Sequence, residues 1–342
     1  MIQQILLNVA ITAGLILTVV GSEARAAEFY KGKTIKLIVG TNPGGGYDTY
    51  ARVIAKHIGR NIPGNPSIIV QNIPGAGSLI AANYLYNVSK PNGLTMAMLI
   101  SGLVMEQVMG EKAMKFDIQK FHWIGAPSVG MPACVIMGFT GLKTLDDVMK
   151  SKKKLNFGAA GSSTREQARI LRDFVRAPIK PVLGYGGTAG IRAALERREV
   201  DGACWQWVSM KITARHMLDA KGDDKMIPFL MQGKSPDPEV KDLPQYMDII
   251  EGKENRAAFR AWMGQYLLYR PFALPPKTPK DRVNTLRKAF RDTLKDPKFL
   301  ALARRTKMDI KHVSGPEIEK NINVILSTPA SAKAKLKTII GN

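Results

Sequence analysis

The residues best able to do chemistry here are small ones. Pro43-Gly44-Gly45-Gly46 is followed at once by Tyr47 and Asp48. Ahead of it a short apolar run (Ile35, Leu37, Ile38, Val39) ends in Gly40, and behind it Ala51, Ile54, Ala55 and Ile58 recur at helical spacing. The spacing predicts a strand, a glycine-rich turn and a helix entered at or near Asp48, a good N-cap residue. The first turn of a helix offers free backbone N–H groups and the positive end of a dipole, and glycine lets a ligand approach closely. That chemistry suits a small anion. The turn lacks the GK[ST] ending of a P-loop and does not fit G-x-G-x-x-G, which disfavours a nucleotide phosphate.

Two later stretches repeat this logic. Leu155 to Gly158 reads as a strand, Ala159 to Thr164 as a small-residue turn, and a helix is expected from about Arg165 to Val175. Pro181-Val182-Leu183 leads to Gly184-Tyr185-Gly186-Gly187-Thr188 and a helix over Ala189 to Arg197. Three such turns around one cleft would recognise an anion by convergent backbone, since α/β folds place ligands at the carboxyl ends of strands. Catalytic sets are thin by comparison. His57, His122, His216 and His312 are scattered away from metal-ligand spacing, no G-x-S-x-G elbow occurs, and neither cysteine has a sequence-near partner. No cofactor and no metal are expected.

The elements that position the turns alternate strand and helix, implying parallel pairing with right-handed crossovers. Ser67 to Asn72 is a second strand, Pro74-Gly75-Ala76-Gly77 a further glycine turn before a helix over Leu79 to Val88, and Leu94 to Ile100 a third strand. Phe116 to Met137 reads as a connection into a second domain. Val200 to Trp207 is expected to be a strand with Trp205 and Trp207 on one face, and Met263 to Tyr269 another. The chain is too long for one ordinary core and fits two domains.

Residues 5–20 are mostly apolar and Ala24-Arg25-Ala26 offers an A-x-A cleavage site, so residues 1–26 read as an export signal cleaved near Ala26. No Lys or Arg precedes the apolar run; an uncleaved anchor is the competing reading, although the run is short for a spanning helix. Cys134 and Cys204 cannot form a disulfide framework; each lies in an apolar strand-like run, as a buried thiol or as half of one pair. The net charge is +22, from 50 Lys plus Arg against 28 Asp plus Glu. The cations are spread along the chain, and in the C-terminal region they alternate with apolar positions as on a solvated helix face. No zinc knuckle, RNP-like sequence or helix-turn-helix accompanies them, which argues against a nucleic-acid partner.

In its residues the chain resembles the extracytoplasmic solute receptors of tripartite tricarboxylate transporters, the Bug family. The resemblance spans the whole mature chain and rests on Tyr30 to Val39, Pro43-Gly44-Gly45-Gly46 with Asp48, Asn72 to Gly77, Gly158 to Thr164, Gly184 to Ala189, and Val200-Asp201-Gly202. It implies an α/β, two-domain Venus-flytrap fold of the periplasmic binding protein type (type II-like), with parallel-rich sheets flanked by helices. The boundaries expected are 27–128 plus 231–342 for the domain of the first glycine turn, and 129–230 for the other. The ligand implied is a small carboxylate, the partner the membrane subunits of such a transporter, and the protein a periplasmic monomer without enzymatic activity. A periplasmic enzyme acting on a small acid and a basic polyanion-binding protein are the alternatives.

Carried over, the binding residues implied are Gly44, Gly45, Gly46, Tyr47 and Asp48, then Gly161, Ser162, Ser163 and Thr164, then Tyr185, Gly186, Gly187 and Thr188. Asp48 could cap its helix as well as meet a ligand hydroxyl, amine or water. Thr164 to Gln167 loosely fits a capping box, and Tyr185 fits either core or cleft. Arg165 is a solvated helix residue or a clamp on a second carboxylate. Trp205 packs in the core or stacks on a ligand. Arg165, Glu166 and Gln167 stand where the family often has a histidine, near the far end of a ligand.

Overall fold

The computed structural model describes residues 27–235 and 237–340; the expected leader lies outside them. Eleven strands among these residues form two sheets. The first contains β1 (Thr34–Val39), β2 (Ser67–Asn72), β3 (Thr95–Met98), β4 (His122–Ala126), β10 (Phe272–Leu274) and β11 (Val313–Ser314), in the order β11-β4-β10-β3-β1-β2. The second contains β5 (Pro132–Met137), β6 (Leu155–Gly158), β7 (Ile179–Val182), β8 (Gly202–Gln206) and β9 (Met226–Met231), in the order β7-β6-β8-β5-β9. β1 pairs in parallel with β2 and β3, and β6 with β7 and β8, as the strand–helix alternation requires. Antiparallel β10 is inserted between β3 and β4.

Helices cover the sheets through apolar stripes. In α1 (Gly46–Ile58) the buried set includes Tyr50, Ala51, Ile54 and Ile58, one face of a 3.6-residue period. The other helices used below are α2 (Leu103–Met109), α3 (Gly161–Asp173), α4 (Thr188–Glu196), α5 (Trp207–Thr213), α6 (Lys253–Met263) and α7 (Lys280–Lys295). In α7, Val283, Leu286, Phe290 and Leu294 are buried while Lys288, Arg291 and Lys295 face water, so much of the C-terminal positive charge is a solvated helix face. No helix among the described residues is long and apolar enough to cross a membrane.

The structure corrects four local expectations. Met263 to Tyr269 is not a strand but the end of α6 running into a 3-10 turn, Gly264–Leu268. Phe259, Trp262 and Tyr266 recur at helical spacing, with Phe259 tilted against Trp262 and Tyr266 edge-on to Trp262, so the apolar run serves a helix face. β8 stops at Gln206 and Trp207 opens α5. α3 starts at Gly161, with Thr164 Oγ1 accepting from the Ala160 N–H at 2.6 Å and donating back to the Ala160 carbonyl, so Thr164 is no N-cap. α1 starts at Gly46 with Gly45 as N-cap, which moves Asp48 into the first turn.

Cys134 and Cys204 are bonded. They face each other in the β5–β8 register and are buried. Because the bridge closes a loop with a sequence separation of 70, its removal frees considerable chain entropy in the unfolded state. Reduction, or Cys134→Ala with Cys204→Ala, should cost about 2–4 kcal/mol. Urea melts with and without reductant check this; coincident midpoints would contradict it.

Candidate functional site

Between the two sheets lies a pocket of about 340 Å³. Its walls are residues that follow the carboxyl ends of parallel strands. Gly40 and Thr41 follow β1, Gly75 to Ser78 follow β2, and Ile100 follows β3. From the other side, Ala159 to Gly161 follow β6 and Leu183 to Gly187 follow β7. Parallel strands end together, so the turns they feed converge. Arg165, one turn into α3, reaches the same space.

The turn after β2 is bent through four successive left-handed residues, Gly75 (φ 126°), Ala76 (44°), Gly77 (61°) and Ser78 (74°). For Ala76 and Ser78 such backbone is costly, of order 1 kcal/mol each. It carries the Ser78 side chain so close over Gly40 that a Cβ there would lie 1.6 Å from Ser78 Oγ. Across the cleft, Gly161 (φ 59°) meets Gly77, and a Cβ on Gly161 would sit 2.9 Å from the Gly77 Cα. The lobes therefore touch backbone to backbone.

The polar equipment of the pocket is small and partly unused. Thr41 Oγ1, Ser78 Oγ and Arg165 Nε are buried and have no hydrogen-bond partner among the described residues. Thr41 is 8% exposed and Ser78 fully buried. Arg165 Nη2 donates to Glu106 Oε1 of α2 at 2.8 Å, tying the two lobes together and leaving the Nε edge uncommitted. Burial holds the Glu106 carboxyl above its ordinary range, opposed by Arg165.

Of the residues expected from the sequence, the structure gathers Gly161, Arg165, Tyr185, Gly186 and Gly187 at the pocket. Gly44, Gly45, Gly46, Tyr47, Asp48, Ser163, Thr164, Thr188 and Trp205 are not among its walls. A Cβ on Gly45 would lie 2.9 Å from Thr188 Oγ1, and one on Gly46 2.2 Å from Ser209 Oγ, so this turn closes against α4 and α5. Gly44 opens instead onto a wider groove of about 530 Å³ with Arg192 and Lys211. Asp48 accepts from the Gly44 N–H at 3.0 Å, from Arg52 and from Asn72. Burial alone would raise its pKa, but these donors hold it below the usual range. The Tyr47 hydroxyl accepts from the Ser101 N–H at 3.4 Å. Trp205 packs in the core with Ala133, Val135 and Met210. The side chain of Ser162 lies outside those described. Residues the sequence reading passed over are Gly40, Thr41, Ser78, Ile100 and Leu183. The signal for them was position, immediately after each parallel strand rather than several residues on.

No protein-family model and no curated protein matches this sequence. Solved structures do. The periplasmic binding protein BugD superposes with a TM-score of 0.73 at 18% identity, covering 91% of this chain and 99% of its own. A structure described as a periplasmic transporter gives 0.71 at 20%, with 91% and 99% covered. MatC from Rhodopseudomonas palustris, solved with bound malate, gives 0.69 at 17%, with 90% and 99% covered. The fold is that of the periplasmic solute-binding proteins. Two mixed sheets flanked by helices, with a pocket between them, are the architecture the Venus-flytrap expectation described.

Behind the pocket, this solute-binding fold buries a carboxyl group between its lobes. Glu166 Oε2 accepts from Trp262 Nε1 and, at 3.0 Å, from Gln265 Nε2, both from the chain after the second sheet. Burial, with Glu106 adding to it, pushes its pKa from an ordinary 4.5 to about 8. The folded state thus keeps a proton that the unfolded chain releases near its ordinary value. The contribution of this group to stability is therefore full below about pH 4.5 and falls as pH rises toward about 8, by at most roughly 1.4 kcal/mol per pH unit. Glu166→Gln should flatten this slope in a series of melting temperatures across that window; an unchanged slope would locate the titration elsewhere.

Proposed function

We propose that this chain is an extracytoplasmic solute receptor of the Bug type. It binds a small organic acid between its lobes and delivers it to the membrane subunits of a tripartite tricarboxylate-type transporter. The observation that carries the reading is the pocket at the converging strand ends, with one arginine and two unpartnered buried hydroxyls. Arg165, Thr41 and Ser78 all line this pocket, and the Arg165 guanidinium is the group there that pairs best with a carboxylate. Malate in MatC and adipate in another R. palustris protein, which superposes at a TM-score of 0.72, support an acid ligand.

The protein works as a monomer in the periplasm, its leader removed near Ala26, and performs no chemistry on the ligand. The disulfide supports an oxidising compartment. The lobes are residues 27–128 plus 231–342 and residues 129–230, hinged at the crossings near Ser128 and Met231. A ligand touching both lobes favours closure by its differential affinity. Saturation with a bound acid should lower the radius of gyration in solution scattering, and the acid should be recovered unchanged after long incubation. Turnover beyond stoichiometry would overturn the receptor reading, and an unchanged radius the hinge.

A further inference from the structure

The sites so far described leave open what kind of acid fits. We infer from the charge and shape of the pocket that it selects a monocarboxylate with a compact apolar body over a dicarboxylate of equal length. The inference rests on the receptor reading and deepens it.

Among the described residues Arg165 is the one charged side chain in the pocket wall, and Glu106 stands 2.8 Å behind it. The pair is already neutral, so one carboxylate can share the guanidinium and a second finds no cation. Besides Arg165, the side-chain polar groups that line the pocket are the hydroxyls of Thr41, Ser78 and Tyr185, none of which carries a positive charge for a second carboxylate. The rest of the wall is glycine backbone with Ala76, Ala159, Ala160, Ile100, Leu183 and Tyr185. Leu183 is 55% exposed although it borders the cavity, an apolar side chain left wet until something apolar covers it. Burying a carboxylate beside alanine and leucine is costly without a partner, whereas a methylene chain there is favoured. Backbone N–H groups of the turns are the competing way to hold a second carboxylate, and the experiment decides between them.

Hexanoate and adipate have the same carbon chain and differ by one carboxylate; hexanamide has none. Titration calorimetry on the purified protein should give hexanoate at least tenfold tighter binding than adipate, with hexanamide too weak to measure. Leu183→Asn, a change at an exposed residue, should narrow the ratio between the acids by weakening hexanoate alone. Adipate binding as tightly as hexanoate, or an unaltered ratio in Leu183→Asn, overturns this inference and leaves the receptor reading intact. Binding of neither hexanoate, adipate nor phenylacetate overturns both.

Discussion

Exchange of Arg165 for glutamine should weaken carboxylate binding by one to two orders of magnitude. A hydrogen bond to a charged group is worth roughly 1.5–3 kcal/mol, and Arg165 is the pocket's one cation. The change also strands Glu106, which is 6% exposed and would lose its partner at 2.8 Å. Burial already raises the pKa of that carboxyl, so in the variant it should take up a proton rather than remain charged. The two effects separate by measurement. Glu106→Gln with Arg165 intact removes the competing carboxylate, and affinity should hold or improve. Calorimetry on both variants, with circular dichroism to confirm folding, is the check. A folded Arg165→Gln protein with native affinity would remove the arginine from the site.

The second large effect is expected from Gly161→Val. Gly161 has φ 59°, where a β-branched residue is strained, and its missing Cβ is what lets the Gly77 backbone of the facing lobe come close. A valine there inserts three carbons into a contact with no spare space, and neither partner is a side chain that can swing away. The lobes should stand apart, with affinity reduced more than a hundredfold and ligand-driven compaction abolished in scattering. Ser163→Ala, on the same helix but outside the pocket wall, should change affinity by less than threefold, within one neutral hydrogen bond of roughly 0.5–1.5 kcal/mol. Equal, mild losses from both variants would contradict the close approach of the lobes.

How far the sequence discloses these features depends on how local each one is. β1, β2, β6 and β7 with the turns after them were legible because a strand, its glycine exit and an apolar helical stripe lie within one short window. The segment from Met263 to Tyr269 was not, since its apolar residues fit a strand or a helix equally until Tyr266 is seen packed edge-on against Trp262 one helical turn back. Pairing of Cys134 with Cys204 depends on the register of β5 against β8, a long-range relation that spacing does not encode. The glycine turns were recognised as anion-friendly, but which residues of a turn face the cavity follows from where its strand ends. Gly40 and Ser78 meet in space only because β1 and β2 pair along their whole length.

Arg270 was equally invisible in the sequence. It is fully buried, donates to Ser128 Oγ and Ser209 Oγ, lies 3.7 Å over the Tyr50 ring, and has no ion-pair partner among the described residues. Its neighbours come from three other stretches of chain, so only the folded molecule shows that tyrosine faces and hydroxyls take the place of a carboxylate.

The order of strands has a consequence for how the polypeptide is built. The second sheet is drawn wholly from residues 132–231, and its first and last strands, β5 and β9, lie side by side with Ala133 opposite Met231. All five strands of that sheet are in hand once Met231 has emerged. The first sheet must wait. β10 sits between β3 and β4, so until Phe272 to Leu274 arrive the early strands are two fragments with a gap between them. A chain emerging from its N-terminus should therefore complete its middle sheet before its first one. In pulsed hydrogen exchange during refolding, amides of β5 and β8 should gain protection ahead of those in β3 and β4.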